Sequence, residues 1–193
     1  KSFKIMRDIG NYMTINISCP NVGDARSFED PKLLDALLKK INNIRKNENI
    51  LLKISPDIEI KKLNLILKLS EKYNIGGFII SNLTKNRHGL HEDKNLKYPG
   101  GVSGSHVFSR SNNLIKYVYK KTKGKFVIIG VGGVFNGKDA YEKIRNGASL
   151  VQLITGMIYE GPSIVRRINE ELVKLLKRDG LKNIKEAIGK NIT

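Results

Sequence analysis

Residues 126–156 read FVIIGVGGVFNGKDAYEKIRNGASLVQLITG, and the fold turns on how this stretch is parsed. It opens with an apolar run, 126–131, and passes through Gly132-Gly133. It continues into residues 138–146, where apolar side chains recur at helical spacing, and ends in a second apolar run, 150–155. Short runs on either side of a three-and-four-spaced segment read as strand, helix, strand. Each run is almost continuously apolar, as expected of parallel strands covered on both faces.

Working outward, the same alternation fills the chain. Further strands are expected at 13–18, 50–55 and 77–81. A helix is expected at 31–46, with Leu34, Leu37, Leu38, Ile41 and Ile44 on one face. Another is expected at 60–73, through Leu63, Ile66, Leu67 and Leu69. Two more fall at 109–121 and at 162–178, the latter through Ile164, Ile168, Leu172 and Leu175. Ser109 and Asp139 are expected to start helices and Gly180 to stop one. Strand–helix alternation argues an α/β fold with a parallel sheet. The candidates are a (β/α)8 barrel of the TIM type and an open doubly wound sheet. Five strands are expected here, where a closed barrel has eight. The chain begins at Lys1 with a strand soon after, so an upstream segment is expected. No internal break divides the 193 residues, which read as a single domain, 1–193. The longest irregular stretch, 82–108, is too long for a plain connector and is a candidate functional loop.

Composition narrows the function. The chain is 40% hydrophobic, enough to fold around a core. No apolar stretch reaches the ~18–20 residues of a membrane span. One cysteine excludes an internal disulfide framework and fits a reducing compartment. The net charge of +17 comes from lysines spread over nearly every expected helix, as in Lys39-Lys40 and Lys120-Lys121. No basic stripe with interleaved aromatics is present, so no nucleic-acid partner is expected. Attraction to an anionic membrane surface is the weaker alternative. His88 and His91 lack further ligands nearby, so solvent exposure is expected and no metal site.

In either parallel architecture, chemistry gathers at the carboxyl ends of the strands. The first strand ends Asn16-Ile17-Ser18-Cys19-Pro20-Asn21. Cys19 can remove a proton once its thiol is ionised; a small buried hydrophobe is the plain alternative. Lys53 lies inside the apolar run Leu51-Leu52-Lys53-Ile54, where an ammonium needs an anion or a ligand; a strand-end salt bridge would also satisfy it. Gly132-Gly133 allows close backbone approach, and amides there can cradle phosphate. The loop segment Gly100-Gly101-Val102-Ser103-Gly104 is a second such candidate. Asn16, Asn21 and Asn82 each offer a donor and an acceptor, which suits a ligand rich in amide and carboxylate groups.

Taken together, these segments resemble dihydroorotate dehydrogenase, in particular its class 2, quinone-linked branch. The likeness runs in order through Asn16–Asn21, Leu52-Lys53-Ile54-Ser55-Pro56-Asp57, Ile80-Ser81-Asn82 and Gly100–Gly104. It continues through residues 128–134, 139–144 and 147–153 to the closing Glu186-Ala187-Ile188-Gly189. The resemblance implies a FMN-dependent dehydrogenase barrel, with this chain as strands four to eight and strands one to three upstream. It implies oxidation of dihydroorotate to orotate in pyrimidine biosynthesis. Quinone would be the electron acceptor, with peripheral contact to the inner membrane through an upstream segment. It makes Cys19 the base that takes the C5 proton while hydride leaves C6. Class 2 relatives usually carry serine at this position and class 1 relatives cysteine. It assigns Asn16, Asn21 and Asn82 to the substrate, and Asn16 also to the flavin. Lys53 would stand beside the flavin ring and stabilise its reduced anion. Ser81, Ser103, Gly104, Gly132, Gly133, Leu153, Ile154 and Thr155 would contact the flavin and its phosphate. Three residues depart from the family pattern. Leu83 stands where a hydroxyl usually touches substrate, Ile154 replaces a usual tyrosine, and Gly76 replaces a usual aspartate. A class 1 or dihydropyrimidine dehydrogenase-like FMN barrel, and a non-catalytic flavin- or phosphate-binding remnant, are the alternative readings.

Overall fold

The computed structural model describes residues 2–18, 28–90 and 98–192. A short α1 (Ser2–Met6) precedes β1 (Met13–Asn16). Four βα units follow in strict alternation: α2 (Pro31–Asn42), β2 (Ile50–Ile54), α3 (Ile60–Lys72), β3 (Gly77–Ile80), α4 (Phe108–Thr122), β4 (Val127–Val131), α5 (Gly137–Arg145) and β5 (Leu150–Gln152). α6 (Thr155–Glu160) and α7 (Ile164–Arg178) close the chain, with 3-10 turns at Gly104–Val107 and Ile184–Ala187.

Local chemistry sets the helix starts. Asp30 accepts from the amides of Lys32 and Leu33 (2.9 and 3.1 Å), and Pro31 occupies the first turn of α2. At α5 the cap is Asn136 and not Asp139. Asn136 Oδ1 accepts from the Asp139 amide at 2.9 Å, while the Asp139 carboxylate accepts from the Phe135 amide at 2.9 Å. Two orphan amides are thereby satisfied reciprocally. Ser109 does not start α4 either; that helix runs on from the Gly104–Val107 turn and has no side-chain cap. Asp179 caps the end of α7, and Gly180 follows it as expected.

All five strands are parallel and lie in the order β1-β2-β3-β4-β5. A doubly wound sheet reverses strand order at a switch point. Here every crossover steps the same way, so right-handed connections place the intervening helices on one face. The cores agree. On the outer face Leu52, Ile54, Phe78, Ile80 and Ile128 pack with Leu34 and Leu38 of α2, Leu63 and Ile66 of α3, and Ile115 and Val118 of α4. On the other face Leu51, Ile79 and Ile129 pack with Val131 and without helices. That second face is the inside of a barrel, and the chain folds as five consecutive units of a (β/α) barrel. The register aligns Asn16 with Lys53 and Lys53 with Ile79, which puts both polar side chains on the inner face.

The long loop is held across its middle. Thr84 and Val102 exchange backbone hydrogen bonds of 3.0 and 2.8 Å. Asp57, just after β2, accepts from Thr84 Oγ1 (2.5 Å), the Lys85 amide (2.7 Å) and Arg110 of α4 (2.8 Å). The segments after β2 and β3 are thus tied to each other and to α4.

Candidate active site

A cavity of about 240 Å³ opens at the carboxyl ends of β2 to β5. Its lining includes Lys53, Ser81, Asn82, Ser103, Gly104, Gly132, Gly133, Leu153, Ile154 and Thr155. These residues come from five separate places in the sequence, and the winding of the sheet brings them together. Leu83, Val131, Val134 and Gly156 complete the wall. Asn16 is not part of that lining but adjoins it through Asn82. Cys19, Pro20, Asn21 and His91 lie outside the described residues; His88 is exposed.

One wall is a polar network across the ends of β1, β2 and β3. The Asn82 amide nitrogen donates to Asn16 Oδ1 (3.2 Å), to the Ser18 carbonyl (3.2 Å) and to Ser18 Oγ (3.1 Å). Ser18 Oγ donates to the Lys53 carbonyl at 3.0 Å. Asn82 Oδ1 accepts from the Leu83 amide at 2.9 Å, which fixes the orientation of its carboxamide. Ser18 is a site residue that the sequence reading did not single out. Its only signal was a hydroxyl at a strand end.

Lys53 is half-buried at the cavity wall, and no ion pair or side-chain hydrogen bond reaches its ammonium among the described residues. Burial alone holds its pKa below the ordinary lysine range. A desolvated cation that faces an open cavity is poised for an anion or an electron-rich ring.

The opposite wall is built from backbone. Gly132 and Gly133 follow β4 with φ of +112° and +69°. A Cβ on Gly133 would lie 2.6 Å from Phe108 Cβ, so close packing as well as dihedral angle requires glycine. The amides of Gly132, Gly133, Thr155 and Gly156 have no hydrogen-bond partner among the described residues. Ser103 and Thr155 hydroxyls meet at 2.9 Å and join the long loop to the start of α6. Unpaired amides with hydroxyls beside them form a set of donors suited to phosphate oxygens. Ile154 lines the cavity and is 65% exposed, at its rim.

Fold and site together define a (β/α)-barrel protein with its polar groups gathered at the carboxyl ends of the strands. The family model described as dihydroorotate dehydrogenase matches residues 1–176. The chain belongs to the dihydroorotate dehydrogenase family. It is 40% identical over 203 residues to the dihydroorotate dehydrogenase (quinone) of Nostoc punctiforme, covering 99% of this chain and 53% of that protein. It is 41% identical over 188 residues to the mitochondrial dihydroorotate dehydrogenase (quinone) of Arabidopsis thaliana, covering 93% of this chain and 41% of that one. Among solved structures, ligand-free dihydroorotate dehydrogenase of Eimeria tenella superposes with a TM-score of 0.91 at 28% identity, over 98% of this chain and 58% of that one. The chain thus spans about half the length of the curated relatives it matches.

Proposed function

We propose that this chain carries the flavin- and substrate-facing part of a FMN-dependent dihydroorotate dehydrogenase that hands electrons to quinone. The observation that supports it most is the single cavity shared by Lys53, Asn82 and the Gly132-Gly133 turn. At about 240 Å³ the cavity is smaller than the ~300–1,000 Å³ of most complete ligand pockets, which suits a site holding one portion of a cofactor. The unpaired amides and the left-handed glycines fit a phosphate group, and the unpaired lysine fits an electron-rich ring.

FMN, when bound, would supply the hydride acceptor for C6 of dihydroorotate. The chain's own residues would do the rest. Gly132, Gly133 and the neighbouring Thr155 amide would hold the phosphate, with Ser103 and Gly104 beside them. Ser81, Leu153 and Ile154 would line the remaining cofactor surface. Lys53 would place a positive charge against the ring and stabilise negative charge as it develops there. Asn16, Asn21 and Asn82 would orient the substrate's amide and carboxylate groups. Cys19 would take the C5 proton; a thiol with a reference pKa near 8.5 gives up its proton more readily near neutrality than a hydroxyl does. Electron delivery to quinone and peripheral membrane contact belong to the same proposal. Among the described residues no helix is long and apolar enough to cross a membrane.

The test is made with the full-length protein. It should purify with a flavin spectrum and reduce a dye when dihydroorotate is added. Loss of both ends the proposal. Cys19→Ala should slow flavin reduction by ~10²–10⁴-fold while flavin affinity is kept. Cys19→Ser should retain part of the rate and need higher pH. Cys19 also favours a second reading, in which a class 1-type acceptor serves. Parallel assays with quinone, fumarate and NAD decide between the two.

A further inference from the structure

Directly behind the Gly132-Gly133 turn lies a cation that the proposed mechanism does not use. Lys143 of α5 is fully buried, at 0% exposure. Its Nζ donates to Asn112 Oδ1 at 2.9 Å and to Ser111 Oγ at 3.1 Å. It also lies 4.9 Å from the centroid of the Phe108 ring. All three partners belong to α4 and all are neutral. Room for the lysine stem comes from Gly130 of β4, where an added Cβ would lie 3.0 Å from Lys143 Cδ. Among the described residues no carboxylate stands at ion-pair distance from Lys143.

The partners of Lys143 are also the supports of the turn. Ser111 Oγ approaches the Val131 carbonyl at 2.6 Å and the Ile80 carbonyl at 3.1 Å, so its proton points to the strand ends and its lone pair to Lys143. Val131 is the residue before Gly132. Phe108 packs directly beneath Gly133. One layer of side chains therefore separates the ammonium from the unpaired amides of the cavity. A buried ammonium with only neutral partners carries an unbalanced desolvation cost, and an anion on the far side of that layer would offset it.

We propose that Lys143 is the positioning residue and hidden counter-charge of the anion held on the Gly132-Gly133 turn, taking up a proton when a phosphate group binds there and releasing it when the phosphate leaves. This rests on the flavin-phosphate reading above. Burial brings Lys143 down to about 7, on the edge of titration near neutral pH. Glu142 and Asp139, on the same helix, pull the other way but by less than burial. The Glu142 carboxylate is engaged with Asn112 (3.0 Å) and that of Asp139 with the Phe135 amide (2.9 Å). Ser111, Asn112 and Phe108 face Lys143 from α4 and the Gly130 backbone faces it from β4, none of them ionisable near neutrality.

The sign follows from linkage. Anion binding raises the lysine's pKa, so phosphate affinity is greatest at low pH and falls as pH rises above about 7. The experiment is calorimetric titration of flavin-free full-length protein with FMN and with riboflavin at pH 8, in two buffers of different ionisation enthalpy. At that pH the FMN phosphate is already fully ionised, its second pKa being about 6. FMN binding should take up most of a proton, and riboflavin binding none. FMN affinity should fall by up to about tenfold per pH unit above neutrality. Lys143→Met should abolish both the uptake and the pH dependence, and Lys143→Arg should keep high affinity without pH dependence. The wild-type titration alone decides the matter if a variant fails to fold. FMN binding without proton uptake, or uptake that persists in Lys143→Met, overturns the inference and leaves the flavin site standing. No binding of either flavin at any pH overturns both.

Discussion

Two desolvated lysines, one half-buried and one fully buried, sit on opposite sides of the same strand ends, and their surroundings differ. Lys53 enters the cavity from the inner face of β2 and meets no acceptor among the described residues. Lys143 approaches from the helix layer and is met by a hydroxyl, a carboxamide and an aromatic face. Desolvation lowers the pKa of both. The difference is in who completes the coordination. At Lys143 the protein completes it, so the side chain is tied to the architecture of the turn. At Lys53 the space is left open, so the charge is available to whatever fills the cavity. A desolvated charge alone thus says little; the presence or absence of its partners separates a charge held behind the cavity from one that faces into it.

The comparison breaks most visibly at Lys53. Replacing it by alanine should lower the rate of flavin reduction by dihydroorotate by ~10²–10³-fold, the usual loss when one preorganised charge-stabilising group is removed. The melting temperature should not fall, because the variant gives up a desolvated ammonium and no hydrogen bond. Stopped-flow reduction and thermal melts are read on the same sample. Near-normal turnover with a lowered melting temperature would make Lys53 part of the scaffold and erase the contrast.

Lys143 should show the opposite pattern. Burial brings it down to about 7 in the folded protein, against the ordinary lysine value of 10.5. Between those values the unfolded state holds a proton that the folded state lacks, so stability rises with pH in that window. Below about 7 both states are protonated and the slope from this group vanishes. The rise should approach ~1.4 kcal/mol per pH unit in midrange, and Lys143→Met should remove it. Urea melts at pH 7, 8 and 9 give the slope directly. At saturating FMN the same variant should reduce flavin at close to the wild-type rate.

The smallest effect sharpens the picture of the cavity rim. Thr155→Val removes the 2.9 Å hydrogen bond to Ser103 and one hydroxyl from the phosphate side. FMN affinity should weaken by roughly fivefold, or about 1 kcal/mol, the ordinary worth of one hydrogen bond. Fluorescence titration with FMN and riboflavin checks it. An equal loss for riboflavin would place the hydroxyl away from the phosphate.

Much of this was legible beforehand. Strands such as Ile50–Ile54 and Gly77–Ile80 are covered on both faces, so their apolar runs stand out without alternation. Lys53 was conspicuous for the same reason, as one charge within such a run. Lys143 was not. Lysine in a helix usually reaches solvent, and a chain of net charge +17 offers many of that kind. Ser18 was equally quiet, since its role depends on Asn82, 64 residues away. The helix starts expected at Ser109 and Asp139 fall elsewhere, because a neighbouring residue or turn takes that place.

The alternation of strands and helices is written in the chain alone, because apolar periodicity records which faces are covered. So is the chemistry available at each strand end, because those residues interrupt the apolar runs. Apolar periodicity left open whether the sheet was a barrel segment or doubly wound, since it does not record on which side a crossover passes; the family resemblance implied the barrel, and the strand order bears it out. That the strands follow in unbroken order, with Lys53 turned inward to the cavity, is set by the packing of the folded sheet. Only packing decided that Lys143 is interior, because its burial is set by Gly130 and α4, which meet α5 through the fold and not through the chain.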